Sequence, residues 1–196
     1  MNKRISKRRG VAFFCVVIAL VIFSGCGGKS SREYFLREGV DLQLVRSVAV
    51  LPMENHSNDP QAHRRVRDIL TTRVMNMGLF DEVTDKGIVD SRLAEEAINE
   101  GEPLDPVSLN RLGQRLNVQA FLLGSVDIAS EQRKGQIAYF ELALTLRLVE
   151  ANSGLVLWQA SGYRNGDTLV GRLLGLEPKD AYQVSLDLVD RLLSTM

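Results

Sequence analysis

Between Gln136 and Glu150 the chain alternates without a break. Ala138, Phe140, Leu142, Leu144, Leu146 and Leu148 hold one parity, and Tyr139, Glu141, Ala143, Thr145, Arg147 and Val149 the other. Successive strand side chains point to opposite faces, so this run is a strand with one face buried. A helix would scatter the same leucines around its circumference. Asn152-Ser153-Gly154 then turns the chain, and Leu155 to Tyr163, with Trp158, returns as the hairpin partner. Any fold for this chain is built on that antiparallel pair.

The preceding segments supply the other layers. Ser47-Val48-Ala49-Val50-Leu51-Pro52 is a β-branched apolar run stopped by proline, which reads as a buried central strand. Met53 to Pro60 is a loop of turn formers. From Gln61 to Met77, Val66, Ile69, Leu70, Val74 and Met77 recur at three and four, one face of a helix, with Gly78 as its C-cap. Leu79 to Val83 is a second strand. Strand, helix and strand with short joints form a βαβ unit with parallel strands. A helix follows around Ile88 to Asn99, with Thr84 or Asp85 as its cap and Ile88, Leu93, Ala94, Ala97 and Ile98 inward. Asp105-Pro106 opens another through Leu116, with Asp at the N-cap and Pro at the first helical position. Ala120 to Ile128 is a strand, Ala129 to Gly135 a polar turn, and Asp180 to Thr195 the last helix. The sum is α/β: a mixed β-sheet of about five strands with flanking helices packed largely on one face, in a single domain.

One segment fits no period. Arg164 to Lys179 holds Gly166, Gly171, Gly175 and Pro178 around an apolar middle of Leu169, Val170, Leu173, Leu174 and Leu176. Apolar residues in a long loop need core cover or a partner. Leu169, Leu173 and Leu174 are therefore candidate interface residues, and Trp158 joins them if its ring is exposed on the hairpin; otherwise it is core.

The amino terminus is an address. Met1 to Gly10 carries Lys3, Arg4, Lys7, Arg8 and Arg9 and no acid, and Val11 to Phe23 is an uncharged run of 13 residues. That is short of the roughly 20 residues a membrane-spanning helix needs. Basic, apolar and then small residues are the order of a secretory signal peptide. Phe23-Ser24-Gly25-Cys26 resembles the cleavage box of bacterial lipoproteins, with Phe23 where leucine is usual. The resemblance implies cleavage before Cys26, a diacylglyceryl thioether on that cysteine and acylation of the new amino terminus. Several acyl chains, at about 0.8 kcal/mol per buried CH2, make a lasting anchor. Gly27 lacks the aspartate that favours inner-membrane retention, so in a Gram-negative host the expected location is the outer membrane, facing the periplasm. The expected organisation is signal peptide 1–25, lipidated tether 26–46 and α/β periplasmic domain 47–196. Within the tether, Tyr34, Phe35 and Leu36 are placed to dock on the domain or on a partner.

Cysteine and charge narrow the function classes. The two cysteines are Cys15, inside the signal, and Cys26, so the mature chain is expected to form neither a disulfide nor a thiolate metal site. The chain has 24 basic and 24 acidic residues; loss of the five basic residues of the signal leaves 19 against 24, a formal net charge of −5. A mildly acidic surface argues against nucleic acid or anionic lipid as the main partner.

Chemistry has few carriers. His56 and His63, with Glu54 and Asp59, match no metal-ligand spacing. Asn55, Ser57, Asn58 and Asp59 follow the first strand, where open α/β sheets bind ligands, but no glycine-rich cradle is there. Ser125 in Leu-Gly-Ser-Val-Asp lacks the Gly-x-Ser-x-Gly elbow. Arg64, Arg65 and Arg67 read as a solvated face. The expectation is no enzyme, no metal and no cofactor beyond the covalent lipid on Cys26.

Three segments together resemble a known group. Val48-Ala49-Val50-Leu51-Pro52 with Glu54-Asn55 is similar to its opening strand and loop. Leu116 to Val126, containing Phe121-Leu122-Leu123-Gly124-Ser125-Val126, resembles its central strand. Leu146-Arg147-Leu148-Val149-Glu150-Ala151-Asn152-Ser153-Gly154-Leu155-Val156-Leu157-Trp158 resembles its hairpin. The group contains the curli secretion protein CsgG, the penicillin-binding-protein activator LpoB and the amino-terminal domain of TolB. The resemblance implies a mixed sheet flanked by helices and brings no catalytic residues. It implies a binding or assembly factor for cell-envelope machinery, either a peptidoglycan synthase regulator or a secretion accessory, with an envelope protein as partner. The alternative is a CsgG-like oligomeric export channel subunit, and homo-oligomerisation stays open.

Overall fold

The computed structural model describes residues 31–168, 171 and 173–196. Along them run β1 (Ser31–Leu36), β2 (Ser47–Val50), β3 (Glu54–Asn55), α1 (Ala62–Met77), β4 (Glu82–Val83), α2 (Lys86–Glu95), α3 (Pro106–Leu116), β5 (Ala120–Lys134), β6 (Ile137–Glu150), β7 (Val156–Asn165) and α4 (Ala181–Leu193). The strands form one mixed sheet in the order β1-β7-β6-β5-β2-β4, with β3 also against β5. β2 lies parallel to β4 and β5, closing the expected βαβ unit, while β5, β6, β7 and β1 pair antiparallel. β2 and β3 are in effect one strand broken at Pro52, since both pair with the same edge of β5.

The alternating run is β6, and its parity sets the layers. Leu142, Leu144, Leu146 and Leu148 are fully buried against α1 and α4, together with Trp158, Ala160, Val66, Leu70, Leu188 and Leu192. Each such leucine contributes about 1.5–3 kcal/mol relative to exposure. The other face has its own core, in which Ala49, Leu51, Phe121 and Val149 meet Val89 and Leu93 of α2 and Leu109 and Leu112 of α3. The helices therefore divide two and two between the faces, and are not gathered largely on one. The reason lies in β2 and β5, whose central residues are apolar at both parities, so both faces need cover.

Local signals placed the helix ends. Asp105 accepts from the backbone N–H of Val107 and Ser108, with Pro106 at the first helical position, and Asn117 ends α3 at φ 54°. Gly78 closes α1 in the left-handed conformation. α2 is capped by Asp85, one of the two expected caps, but its inward residues are Val89 and Leu93, leaving Ile88 52% exposed. β5 runs on to Lys134 where a polar turn was expected, because the whole first half of β6 pairs with it.

The largest departure is at the amino end. The segment expected as tether contains β1, which pairs along its full length with β7, from Ser31 opposite Tyr163 to Leu36 opposite Trp158. Val40, Leu42 and Val45 then pack against the core. The folded unit thus starts by Ser31, well before Ser47, and β1 forms one edge of the sheet, with β4 at the other. Cys26 and the signal peptide lie outside the described residues.

Candidate interaction surface

Helices α2 and α3 cover only half of their face of the sheet, and what they leave open is a polar grid. Glu33, Ser161, Thr145, Ser125 and Glu54 stand in one row across β1, β7, β6, β5 and β3. The next row is Phe35, Gln159, Arg147 and Leu123. These side chains satisfy one another. A register shift between Val126 and Ile128 sets Asp127 where its carboxylate accepts from Ser125 Oγ at 2.7 Å and from Thr145 Oγ1 at 2.9 Å. Thr145 and Ser161 are 3.1 Å apart through their hydroxyls. Glu141 accepts from Ser130, Gln132 and Tyr163. Burial pushes the Tyr163 phenol above its ordinary value, and its bond to Glu141 adds to this. Arg147 reaches Glu54 at 3.3 Å.

The grid presents hydroxyls and carboxylates bonded to one another. Ser125 gives its proton to a carboxylate and not to a histidine. His56 lies 3.3 Å from Glu54, and His63 lies 3.5 Å from Glu100, so the two histidines serve different carboxylates. Among the described residues no group of three or more His, Cys, Asp or Glu side chains could hold a metal ion. The Asn55–Asp59 loop is bound to itself: the Asn55 amide donates to the Asp59 carbonyl, and Ser57 donates to Asn55.

Beside the grid runs the free edge. Among the described residues β1 has a partner on one side only, and Tyr34, Phe35 and Leu36 are 62, 48 and 43% exposed. The Arg37 guanidinium sits 5.9 Å from the Phe35 ring centre and is fixed by donating from Nε to the Val156 carbonyl. These residues were recognised in the sequence as a docking element. Their place on a sheet edge was not, because the strand they pair with is 120 residues on.

The other expected interface residues separate. Trp158 is fully buried, and its Nε1 donates to Thr195 Oγ1 at 3.0 Å, so it is core beneath α4 and offers no surface. Leu173 and Leu174 are 81 and 68% exposed. Leu169 lies outside the described residues, as does Cys26. The basic cluster also splits. Arg64 pairs with Glu100, and that bond first of all holds the Glu100 carboxyl below its ordinary range. Arg65 pairs with Asp59, which is lowered in the same way. Arg67 is not on a solvated face at all but is 2% exposed.

The sequence matches no protein-family model and no curated protein. Solved structures supply the likeness. This chain is similar to the PelC dodecamer subunit from Paraburkholderia phytofirmans, with 16% identity over 84% of this chain and 95% of that one, at a TM-score of 0.57. It is similar to the lipoprotein GNA1162 from Neisseria meningitidis, with 16% identity over 76% and 94% of the two chains, at 0.56. The LpoB carboxyl-terminal domain from Salmonella enterica is a weaker match, at 0.48 over 65% of this chain. The fold is thus the mixed α/β fold of PelC and GNA1162, a mixed sheet flanked by helices as the resemblance of the three sequence segments implied.

Proposed function

We propose that this chain is a lipid-anchored, periplasm-facing binding or assembly factor for cell-envelope machinery, held at the outer membrane through Cys26. The lipid confines the domain near one surface, and the free edge of β1 recruits an envelope protein by strand addition or by contact with Tyr34, Phe35 and Leu36. The observation that carries this reading is that exposed edge, which begins five residues after Cys26. Five extended residues span at most about 17 Å, so the partner has to come to the anchoring membrane. Regulation of a peptidoglycan synthase and service to a secretion system both fit such a device. The fold shared with the lipoprotein GNA1162 supports the envelope setting.

A second reading, an oligomeric export channel subunit, draws support from the dodecameric state of PelC. It meets a difficulty in the β5–β6 hairpin, whose outer part carries Ser130, Gln132 and Lys134 on one parity and Glu131 and Arg133 on the other. A membrane-spanning barrel strand needs an apolar parity there.

Photocrosslinking from p-benzoylphenylalanine at Phe35 in intact cells separates the two. A discrete adduct with a synthase or a secretion component supports the adaptor. A ladder of self-adducts ending at a ring-sized species replaces it with the channel subunit, and no adduct at all removes β1 as the docking edge.

A further inference from the structure

The chain enters the sheet at the end where its most awkward apolar residues lie. β1 runs antiparallel to β7, with Ser31 opposite Tyr163. β1 therefore begins beside the carboxyl end of β7. That end also carries the tip of the β5–β6 hairpin. Asn165, the last residue of β7, pairs with Glu141, so β6 and β5 continue four residues beyond it, to Ile137. At roughly 3.4 Å per residue this overhang is about 14 Å long. The segment after β7 folds against it: Gly166 N donates to Phe140 O at 2.8 Å, and Ile137, Thr168, Leu176 and Pro178 line a cleft of about 570 Å³ between the two.

Leu173, Leu174 and Leu176 are 81, 68 and 62% exposed, and Ile137 at the hairpin tip is 37% exposed. Three largely exposed leucines within four residues form a patch of the kind that marks an interaction site. Arg133 and Lys134, both exposed, stand on the same tip. Among the described residues no helix is long and apolar enough to cross a membrane, so contact at this end would be interfacial.

We infer that Leu173, Leu174, Leu176 and Ile137 dip into the head-group region of the bilayer that holds the Cys26 lipid, with Arg133 and Lys134 against lipid phosphates. The inference rests on the lipidation of Cys26. Its occupant is a phospholipid surface because the five-residue link keeps Ser31, where the chain enters this end of the sheet, within about 17 Å of the anchor. One lipid-modified residue and one apolar patch are two attachments, and two attachments fix an orientation. With this end down, the β1 edge and the polar grid face sideways, open to a partner.

The mature chain has no cysteine besides Cys26, so Leu174→Cys, Ile137→Cys and the control Leu155→Cys each place one free thiol in the acylated protein. Leu155 is 48% exposed at the opposite end of the hairpin. Each variant is labelled with a nitrobenzoxadiazole dye and reconstituted into vesicles of phosphatidylethanolamine and phosphatidylglycerol. At Leu174 and Ile137 iodide quenching should be roughly fivefold weaker than at Leu155, with quenching by spin-labelled lipid. Equal iodide quenching at all three sites overturns the inference. Shielding from iodide without lipid quenching also overturns it, since a protein then covers the patch. The mass of the amino-terminal peptide from the same sample reports acylation. An acylated Cys26 with aqueous probes defeats membrane docking alone; an unmodified Cys26 defeats the lipid anchor and the docking with it.

Discussion

Arg67 of α1 and Asp90 of α2 join helices that lie on opposite faces of the sheet. Arg67 Nη1 donates to Asp90 Oδ1 at 2.6 Å, and its Nε and Nη2 donate to the carbonyl of Val50 at the end of β2. One buried guanidinium thus closes the carboxyl end of the central strand. Arg67→Met keeps much of the volume but leaves the buried Val50 carbonyl unpaired, and should cost about 1–3 kcal/mol in urea unfolding. Asp90→Asn, at a half-exposed carboxylate, should cost less than Arg67→Met. Equal stability of Arg67→Met and wild type would show that the clamp is dispensable.

Trp158 is the single tryptophan, so it reports its own surroundings. Being fully buried with its Nε1 bonded to Thr195, it should emit at short wavelength and resist iodide in the folded protein. Trp158→Ala should cost about 3–5 kcal/mol, or prevent folding. Thr195→Val, which removes the acceptor of the buried Trp158 donor and the hydroxyl's own bond to the Leu192 carbonyl, should cost about 1–3 kcal/mol by the same unfolding measurement.

Gly124 sits where the sheet has no room for a side chain. A Cβ there would lie 2.6 Å from the Thr145 carbonyl oxygen and 2.9 Å from both Met53 Cε and Leu146 Cδ2. Gly124→Ala should destabilise by about 1–3 kcal/mol, because the closest obstacle is backbone and cannot swing away. An unchanged unfolding midpoint would contradict this packing.

Sequence periodicity carried much of this fold, and its failures have causes. β6 was legible because its leucines share one parity, and α3 because Asp105-Pro106 and Asn117 act locally. β1 was not legible: Arg32, Tyr34 and Leu36 on one parity and Glu33 and Phe35 on the other give no polar-apolar contrast. Nothing local reveals that β1 pairs with β7. Arg67 looked like its neighbours Arg64 and Arg65, and only the meeting of α1, α2 and the end of β2 buries it. The polar grid was invisible because its members come from five strands, whereas the exposed leucines after β7 stood out by lacking any period.

Asp187 gives a pH dependence with a definite sign. Burial alone would push its carboxyl up, but the Lys179 bond and the Arg164 charge outweigh that and hold it below its ordinary value of 3.8. A depressed carboxylate contributes stability that is full above the unfolded value and is lost as pH falls through the folded one. Asp187→Asn should therefore lower the urea midpoint at about pH 7, and its gap from wild type should narrow toward about pH 3. A gap independent of pH would mean that the charge pairing with Arg164 and Lys179 contributes nothing.

The proposed lipid on Cys26 is what the proposed anchoring, short reach and membrane-facing end all depend on. The most direct measurement is metabolic labelling of cells with a fatty-acid probe, comparing wild type with Cys26→Ala. Wild type should carry label and fractionate with membranes, and Cys26→Ala should lose both while retaining the fold. Label that persists in Cys26→Ala, or a wild-type chain without label, would contradict the account.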